Sequence, residues 1–288
     1  MQFLPYHLQK PKVYDSLVWT MPLLPWIPND IESWMTCNML KLNNEKTEFF
    51  VALSPHNKRR MPPVKLLVGN TLIEPTDTVR NLGVVFDTQM SMSPQVASLS
   101  RSITFHLRNI SRIRRYLDFD TCNHVVRSLI LSRLDYANIL LMGSKATDIN
   151  RLQRLQNWAA KIIFCAAKQD HASTFLQQLH WLPVKKRVHY KVLVYVYKCL
   201  ATGLSPEYLA SCLTLYIPGR EGLRSAIDAT RLQEPKLQYR SFMSAADKSF
   251  SFVAPKLWNK LPGSLRTSIS LPVFKKGLKT YLFSNIYI

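Results

Sequence analysis

The pattern of apolar positions changes character near Ser93. Before it, short apolar runs separated by turn residues predict strands at residues 48–53, 64–68, 71–73 and 79–86. Gly69-Asn70 lies between two of these runs and predicts a hairpin. A helix is predicted from Asp30, as its N-cap, to Met39. After Ser93 apolar residues recur every three or four positions, so the chain is predicted to be α+β with a mostly helical second part.

The helical pattern after Ser93 is interrupted by turn and breaker residues. Predicted helices run over 93–116, from Asp120-Thr121, from Thr147 or Asp148, over 175–179, over 185–200 and after Pro272. Residues 216–248 are rich in Gly, Arg and polar residues, which predicts loops and short strands. Residues 1–30 contain five prolines and predict an irregular segment.

Charge adds a candidate function. The formal net charge is +20, and a folded chain this basic commonly has an anionic partner, most often nucleic acid. The first long helix has no acidic residue before Asp118, and its arginines are candidates for contacts with phosphates: Arg101, Arg108, Arg112, Arg114 and Arg115. A second candidate set is Lys185, Lys186, Arg187 and Lys191. An ordinary solvated surface remains the alternative for both sets.

Other chemistry finds little support in the sequence. The five cysteines are widely spaced, which indicates reduced thiols in an intracellular protein and no zinc site. Charges interrupt the longest apolar run, so no membrane span is predicted. Asp118 and Asp120 are expected to cap the second helix and not to bind a metal. His180 is expected to pack or donate a hydrogen bond, and Trp181 and Trp258 are expected to anchor the core.

Several ordered sequence blocks carry a resemblance to one family. The first contains Ile31, Trp34, Met35, Asn38, Leu40, Lys41, Leu42, Asn43, Lys46, Thr47 and Glu48. The later blocks are residues 79–84, 133–136, 152–157, 179–184, 254–262 and Phe274-Lys275. Together they resemble the C-terminal part of the reverse transcriptase of non-LTR retrotransposons, the LINE or jockey-like class.

The resemblance implies an architecture. Residues 1–30 would be an irregular proline-rich segment, 31–92 the rear part of a truncated polymerase palm, 93–145 thumb-like helices and 146–288 a mostly helical C-terminal domain. Asn81, Leu82 and Gly83 resemble the segment that grips the primer end. Lys46 resembles the motif lysine that lies near the incoming nucleotide, and a solvated lysine is the alternative reading.

The resemblance also bounds the expected activity. The family is an RNA-directed DNA polymerase whose clustered aspartates hold two Mg²⁺ ions. In this sequence the similarity begins after that aspartate pair, so we expect no bound cofactor, no metal site and no polymerisation by this chain alone. The expected partner is RNA or an RNA–DNA template–primer, and the upstream half of the polymerase is a further expected partner. The family's reaction on DNA also implies access to the nucleus. A co-opted binding module and a non-functional element remnant remain alternatives.

Overall fold

The structure is a computed structural model that describes residues 26–41, 43, 46–53, 55–60, 64–68, 71–203, 205–217, 230–235 and 249–287. Most of the predicted irregular segment 1–30 therefore lies outside the described residues, as do large parts of the predicted loops at 216–248. The chain divides into two compact units between Val79 and Arg80. Short strands occur together with many helices, which confirms a broad α+β class.

The first unit combines two helices with short paired strands. Its elements are α1 (Trp26–Cys37), β1 (Phe49–Phe50), α2 (Pro55–Arg60), β2 (Leu66–Val68), β3 (Thr71–Ile73) and β4 (Pro75–Thr76). Strands β2 and β3 are antiparallel, with Leu67 opposite Leu72, which confirms the predicted hairpin. Strands β1 and β4 are parallel.

Two predictions in this unit are wrong. The helix begins at Trp26, so Asp30 lies inside α1 and is not its N-cap. Pro28 does not prevent this start, because the first turn of a helix needs no backbone N–H donors. The strand predicted at 48–53 is confined to Phe49–Phe50, since only these two residues pair with β4.

A hairpin replaces the single strand predicted over 79–86. Strand β5 (Thr78–Asn81) pairs with β6 (Val84–Asp87) through a turn at Leu82 and Gly83. Both turn residues have positive φ, 45° and 81°, as a tight two-residue hairpin requires. Glycine adopts this conformation without strain. The Tyr136 hydroxyl donates a 2.6 Å hydrogen bond to the Leu82 carbonyl and holds the turn in place.

Helices make up most of the second unit. They are α3 (Ser93–Ile113), α4 (Phe119–Val126), α5 (Ser132–Asp135), α6 (Ala146–Ile163), α7 (Ala172–Gln178), α8 (Val184–Tyr197), α9 (Glu207–Ala210), α10 (Phe250–Asn259), α11 (Gly263–Arg266) and α12 (Leu271–Tyr287). Short 3₁₀ turns cover Arg114–Tyr116 and Asn138–Leu141, and π-helical turns cover Arg127–Leu131 and Lys198–Thr202. The predicted helices are thus present, with ends shifted by a few residues.

Two clusters of buried apolar residues hold these helices together. The first lies where α3 packs against α6 and includes Val96, Ile103, Leu107, Leu152 and Ile163. The second lies where α8 packs against α10 and α12. Trp181 is buried in the first cluster and Trp258 in the second, so both expected core anchors are confirmed.

Polar side chains of α6 fix the turn that leads into α8. Gln156 is fully buried, and its Nε2 donates a 2.9 Å hydrogen bond to the Leu182 carbonyl. The Gln153 Oε1 accepts a 2.8 Å bond from the Val184 backbone N–H. Two of the sequence blocks that carry the family resemblance therefore contact each other. Within the described residues, the helices include none that is both long enough and apolar enough for a membrane span.

Candidate nucleic-acid interface

Helix α3 has one buried face and one basic face. Its buried positions are Val96, Ser100, Ile103, Leu107 and Ile110, at spacings of three and four. Arg101, Phe105, Arg108 and Arg112 follow the same spacing, and all four side chains are exposed. Since residues at these spacings share one side of a helix, the three arginines and the ring form a continuous stripe.

The stripe borders a groove of about 490 Å³ to which α6 contributes a fourth arginine. Arg101, Arg108, Arg112 and Arg151 line it together with Ser100, Thr104, Phe105 and Asn109. We call this surface the arginine groove. Three of the four arginines that line it, Arg101, Arg108 and Arg112, belong to the set predicted from the sequence of α3. Arg151 is missing from the predicted set because only the packing of α3 on α6 brings it there.

Among the described residues, the arginine groove has no negative charge to compensate its arginines. In the part of the chain that the structure describes, no carboxylate lines it, and the recorded ion pairs involve other residues. His106 packs edge-on to Phe105, with ring centroids 5.4 Å apart. Burial, and secondarily Arg133, lowers the pKa of His106 below its usual value. His106 is therefore neutral at pH 7, and the positive charge of the groove comes from arginine.

Two further side chains of the groove could contact a nucleic acid: one through a hydroxyl group and one through an aromatic ring. Ser100 is 3% exposed, and its hydroxyl has no hydrogen-bond partner among the described residues. Phe105 leaves 61% of its surface exposed in the middle of the arginine stripe. Phosphate oxygens suit the guanidinium and hydroxyl groups, and an unpaired base can stack on an exposed ring. Sequence reasoning missed Phe105 and Ser100, although the four-three-four spacing already places Phe105 among the arginines.

Arg114 is placed differently from the other predicted arginines. Its Nε and Nη2 donate to the carbonyls of Ile162 and Ile163 at 2.8 and 2.7 Å, and its Nη1 donates to the Leu117 carbonyl at 2.5 Å. The carbonyls of Ile162 and Ile163 lie at the C-terminal end of α6, where positive charge is favourable. Arg115 is exposed and lies over the Tyr116 ring at 4.8 Å.

We expect Arg114→Gln to lower the free energy of unfolding by about 2 kcal/mol, because three charge-assisted hydrogen bonds are lost. Nucleic-acid affinity of the folded variant should stay within twofold of wild type. Urea unfolding and fluorescence anisotropy would measure the two quantities, with the exposed Arg115→Gln as the matched control. A variant with wild-type stability and weakened binding would contradict this structural role for Arg114.

The second predicted set does not form one surface. Arg187 forms a two-point ion pair with Asp135, its Nε lying 2.8 Å from Oδ1, and only 16% of its side chain is exposed. Lys185 is exposed and Lys186 is half-buried. Burial, followed by the positive charges of Lys186, Lys185 and Lys260, lowers the pKa of His189 to about 4. The lysines therefore raise the local positive potential, while Arg187 is engaged within the fold.

The remaining predicted site residues are exposed. Lys46 lies in the first unit, where its backbone N–H donates to Asn43. Asn81, Leu82 and Gly83 are at the tip of the β5–β6 hairpin, and Leu82 is 84% exposed. Asn81, Leu82 and Gly83 are not among the described residues that line the arginine groove. His180, also exposed, has its ring 5.8 Å from that of Phe283.

The two acidic residues expected to cap the second helix lie at its start. Asp118 is the N-cap of α4, and its Oδ1 accepts a 2.9 Å hydrogen bond from the Thr121 N–H, as predicted. Hydrogen bonds from Thr121 lower the pKa of Asp118. Among the described residues, no group of three His, Cys, Asp or Glu side chains could hold a metal ion.

Comparison of the chain with known protein families, curated proteins and solved structures gives no match.

Proposed function

We propose that this chain binds the sugar–phosphate backbone of a nucleic acid in the arginine groove. The observation that carries the proposal is the convergence of four arginines from two helices on one groove without a carboxylate among its described lining residues. Guanidinium groups pair with phosphate oxygens through two parallel hydrogen bonds, and they remain charged at any physiological pH.

The dimensions of the stripe fit several phosphates. Arg101 and Arg112 are eleven residues apart on α3, a separation of about 16 Å along a helix axis. Phosphates of one strand follow each other at about 3.4 Å along a duplex axis, so a strand that lies along the groove places about five phosphates beside the four arginines. Phe105 supplies a stacking surface for an unpaired base at the same place.

The resemblance refines the proposal. In a non-LTR retrotransposon reverse transcriptase, α3 would correspond to the start of the thumb, and the small strands of the first unit to the rear part of the palm. The ligand would then be RNA or an RNA–DNA template–primer, and the parent reaction RNA-directed DNA synthesis. The proposal assigns to this chain the binding of the template–primer and not the Mg²⁺-dependent polymerisation step.

A salt series tests the proposal. Fluorescence anisotropy of a labelled RNA–DNA primer–template should give a dissociation constant whose logarithm rises with the logarithm of salt concentration with a slope of about 3, as expected for four phosphate contacts. A folded chain that does not bind, or whose affinity is independent of salt, would overturn the proposal. Incorporation of dNTPs by the same sample would show a catalytic function beyond binding.

A further inference from the structure

A second cavity in the same unit is distinct from the arginine groove. It has a volume of about 670 Å³ and is lined by residues of the Arg127–Leu131 π-helical turn, α5, the connection from α7 to α8, α8 itself and α12. This volume is in the range of pockets that bind small organic molecules. None of the residues that line the arginine groove lines this cavity.

Two buried polar atoms of this cavity's lining residues lack a partner within the described part of the chain. Trp181 and Asn138 are each 3% exposed, and both line the cavity. Among the described residues, the Trp181 Nε1–H has no acceptor and the Asn138 Oδ1 has no donor. Unpaired buried polar groups are costly and rare in folded proteins. A ligand that supplies one acceptor and one donor would satisfy both.

The charge around the cavity favours an anion. Arg127, Lys191 and Lys279 line it without a recorded carboxylate partner in the described part of the chain. The acidic residue of the lining, Asp135, is already paired with Arg187. The excess of three positive charges matches a phosphate group, which carries up to two negative charges near neutral pH.

The cavity also has an apolar side. Leu131, Leu179 and Leu182 line it, as does the half-buried ring of Tyr190. An inorganic phosphate ion would satisfy the cations but would leave this surface and much of the volume unfilled. An organic group with a hydroxyl or amine would fill it and could donate to the Asn138 Oδ1.

We propose that this cavity binds a small phosphorylated organic molecule of the size of a nucleoside monophosphate. The phosphate is held by Lys191, Lys279 and Arg127, and the organic part lies against the leucines and Tyr190. The Trp181 Nε1–H and the Asn138 Oδ1 supply the directional hydrogen bonds that select a ligand with both an acceptor and a donor. The site is independent of nucleic-acid binding in the arginine groove.

Isothermal titration of the full chain with AMP, ribose 5-phosphate, adenosine and inorganic phosphate tests the proposal. AMP should bind at least tenfold more tightly than adenosine and than inorganic phosphate, with ribose 5-phosphate between them. Binding of inorganic phosphate as tight as that of AMP would reduce the cavity to a simple anion site and overturn the proposal. Absence of AMP binding to the folded chain would overturn it as well.

Two variants locate the site. Trp181→Phe removes the Nε1–H donor and keeps an aromatic ring, so AMP affinity should fall at least tenfold when it is measured below the unfolding temperature, which the smaller buried ring lowers. Lys279→Gln, at an exposed position of α12, should lower AMP affinity about fivefold, whereas Lys275→Gln on the same helix should not. If Trp181→Phe fails to fold, Lys279→Gln decides: unchanged AMP affinity in that variant overturns the proposal.

The same variants separate this site from the arginine groove. Trp181→Phe and Lys279→Gln should leave binding of the RNA–DNA primer–template within twofold of wild type. Arg108→Glu should leave AMP affinity within twofold of wild type. Loss of AMP binding in Arg108→Glu would place the nucleotide in the arginine groove and would overturn the proposal for the cavity.

Discussion

Reversing two charges in the arginine groove should weaken nucleic-acid binding by about a hundredfold or more near physiological salt. The variant Arg108→Glu/Arg112→Glu removes two guanidinium contacts and places two carboxylates against the phosphates. The salt dependence should also become shallower, by about 1.5 in the slope, since two fewer phosphates are neutralised. Anisotropy with the RNA–DNA primer–template over a salt series measures both effects.

The control must carry the same change in net charge. Lys275→Glu/Lys276→Glu alters two exposed positions on α12, outside the arginine groove. Its affinity should fall less than fivefold, because unspecific long-range attraction is largely screened at physiological salt. Equal losses in the two variants would mean that overall positive charge causes the binding, and the assignment to the arginine groove would fail. All four positions are exposed, so neither variant should change stability by more than about 0.5 kcal/mol.

The sequence predicts the part of this groove that lies on one helix. The helical period alone places Arg101, Arg108 and Arg112 on one face. The recurrence of apolar residues every three or four positions shows that the opposite face is buried. Arg151 is thirty-nine residues away from Arg112 in sequence, and its position depends on how α6 packs on α3. Periodicity contains no information about that packing.

Arg114 illustrates the opposite case. In the sequence it belongs to the same basic run as Arg112 and Arg115. Its guanidinium group, however, donates to two carbonyls at the C-terminal end of α6 and to the Leu117 carbonyl. The helix shifts to a 3₁₀ turn at Arg114–Tyr116, which changes the direction of the following side chains. A change of helix type near a C-terminus is not visible in the apolar pattern, so the face of residues 114–116 could not be predicted from a period of 3.6.

The hairpin at Leu82-Gly83 shows how local chemistry can override a continuous pattern. The run from Val79 to Phe86 predicts one strand around Asn81-Leu82-Gly83. Gly83, at φ 81°, permits a tight turn, and Tyr136, fifty-four residues after Leu82, stabilises the turn through the Leu82 carbonyl. The glycine was a usable signal in the sequence, whereas the tyrosine contact depends on the tertiary fold.

The second large effect expected is on stability and concerns Trp258. This residue is 1% exposed, its Nε1–H donates a 2.8 Å hydrogen bond to the Thr230 carbonyl, and its ring centroid lies 5.8 Å from that of Phe274. Phe274 in turn stacks on Tyr197, with centroids 4.4 Å apart. The three rings therefore join α8, α10 and α12 in the second apolar cluster.

We expect Trp258→Ala to lower the free energy of unfolding by about 3–5 kcal/mol, because it leaves a large cavity and removes the hydrogen bond to the Thr230 carbonyl. For a unit of this size the unfolding temperature should fall by about 10 °C. Trp258→Phe keeps most of the ring packing and loses the hydrogen bond, so its cost should be about 1–2 kcal/mol. Urea unfolding followed by circular dichroism measures all three proteins.

Trp34→Ala is the matched control, because that indole is 63% exposed and belongs to the first unit. Its stability should stay within about 0.5 kcal/mol of wild type.

The experiment also tests the alternative that the chain is a non-functional remnant of an element. Such a chain would unfold without a cooperative transition, and then Trp258→Ala and Trp34→Ala would have the same small effect. A cooperative wild-type transition with a large loss only in Trp258→Ala would instead show that the second apolar cluster is a specifically packed core.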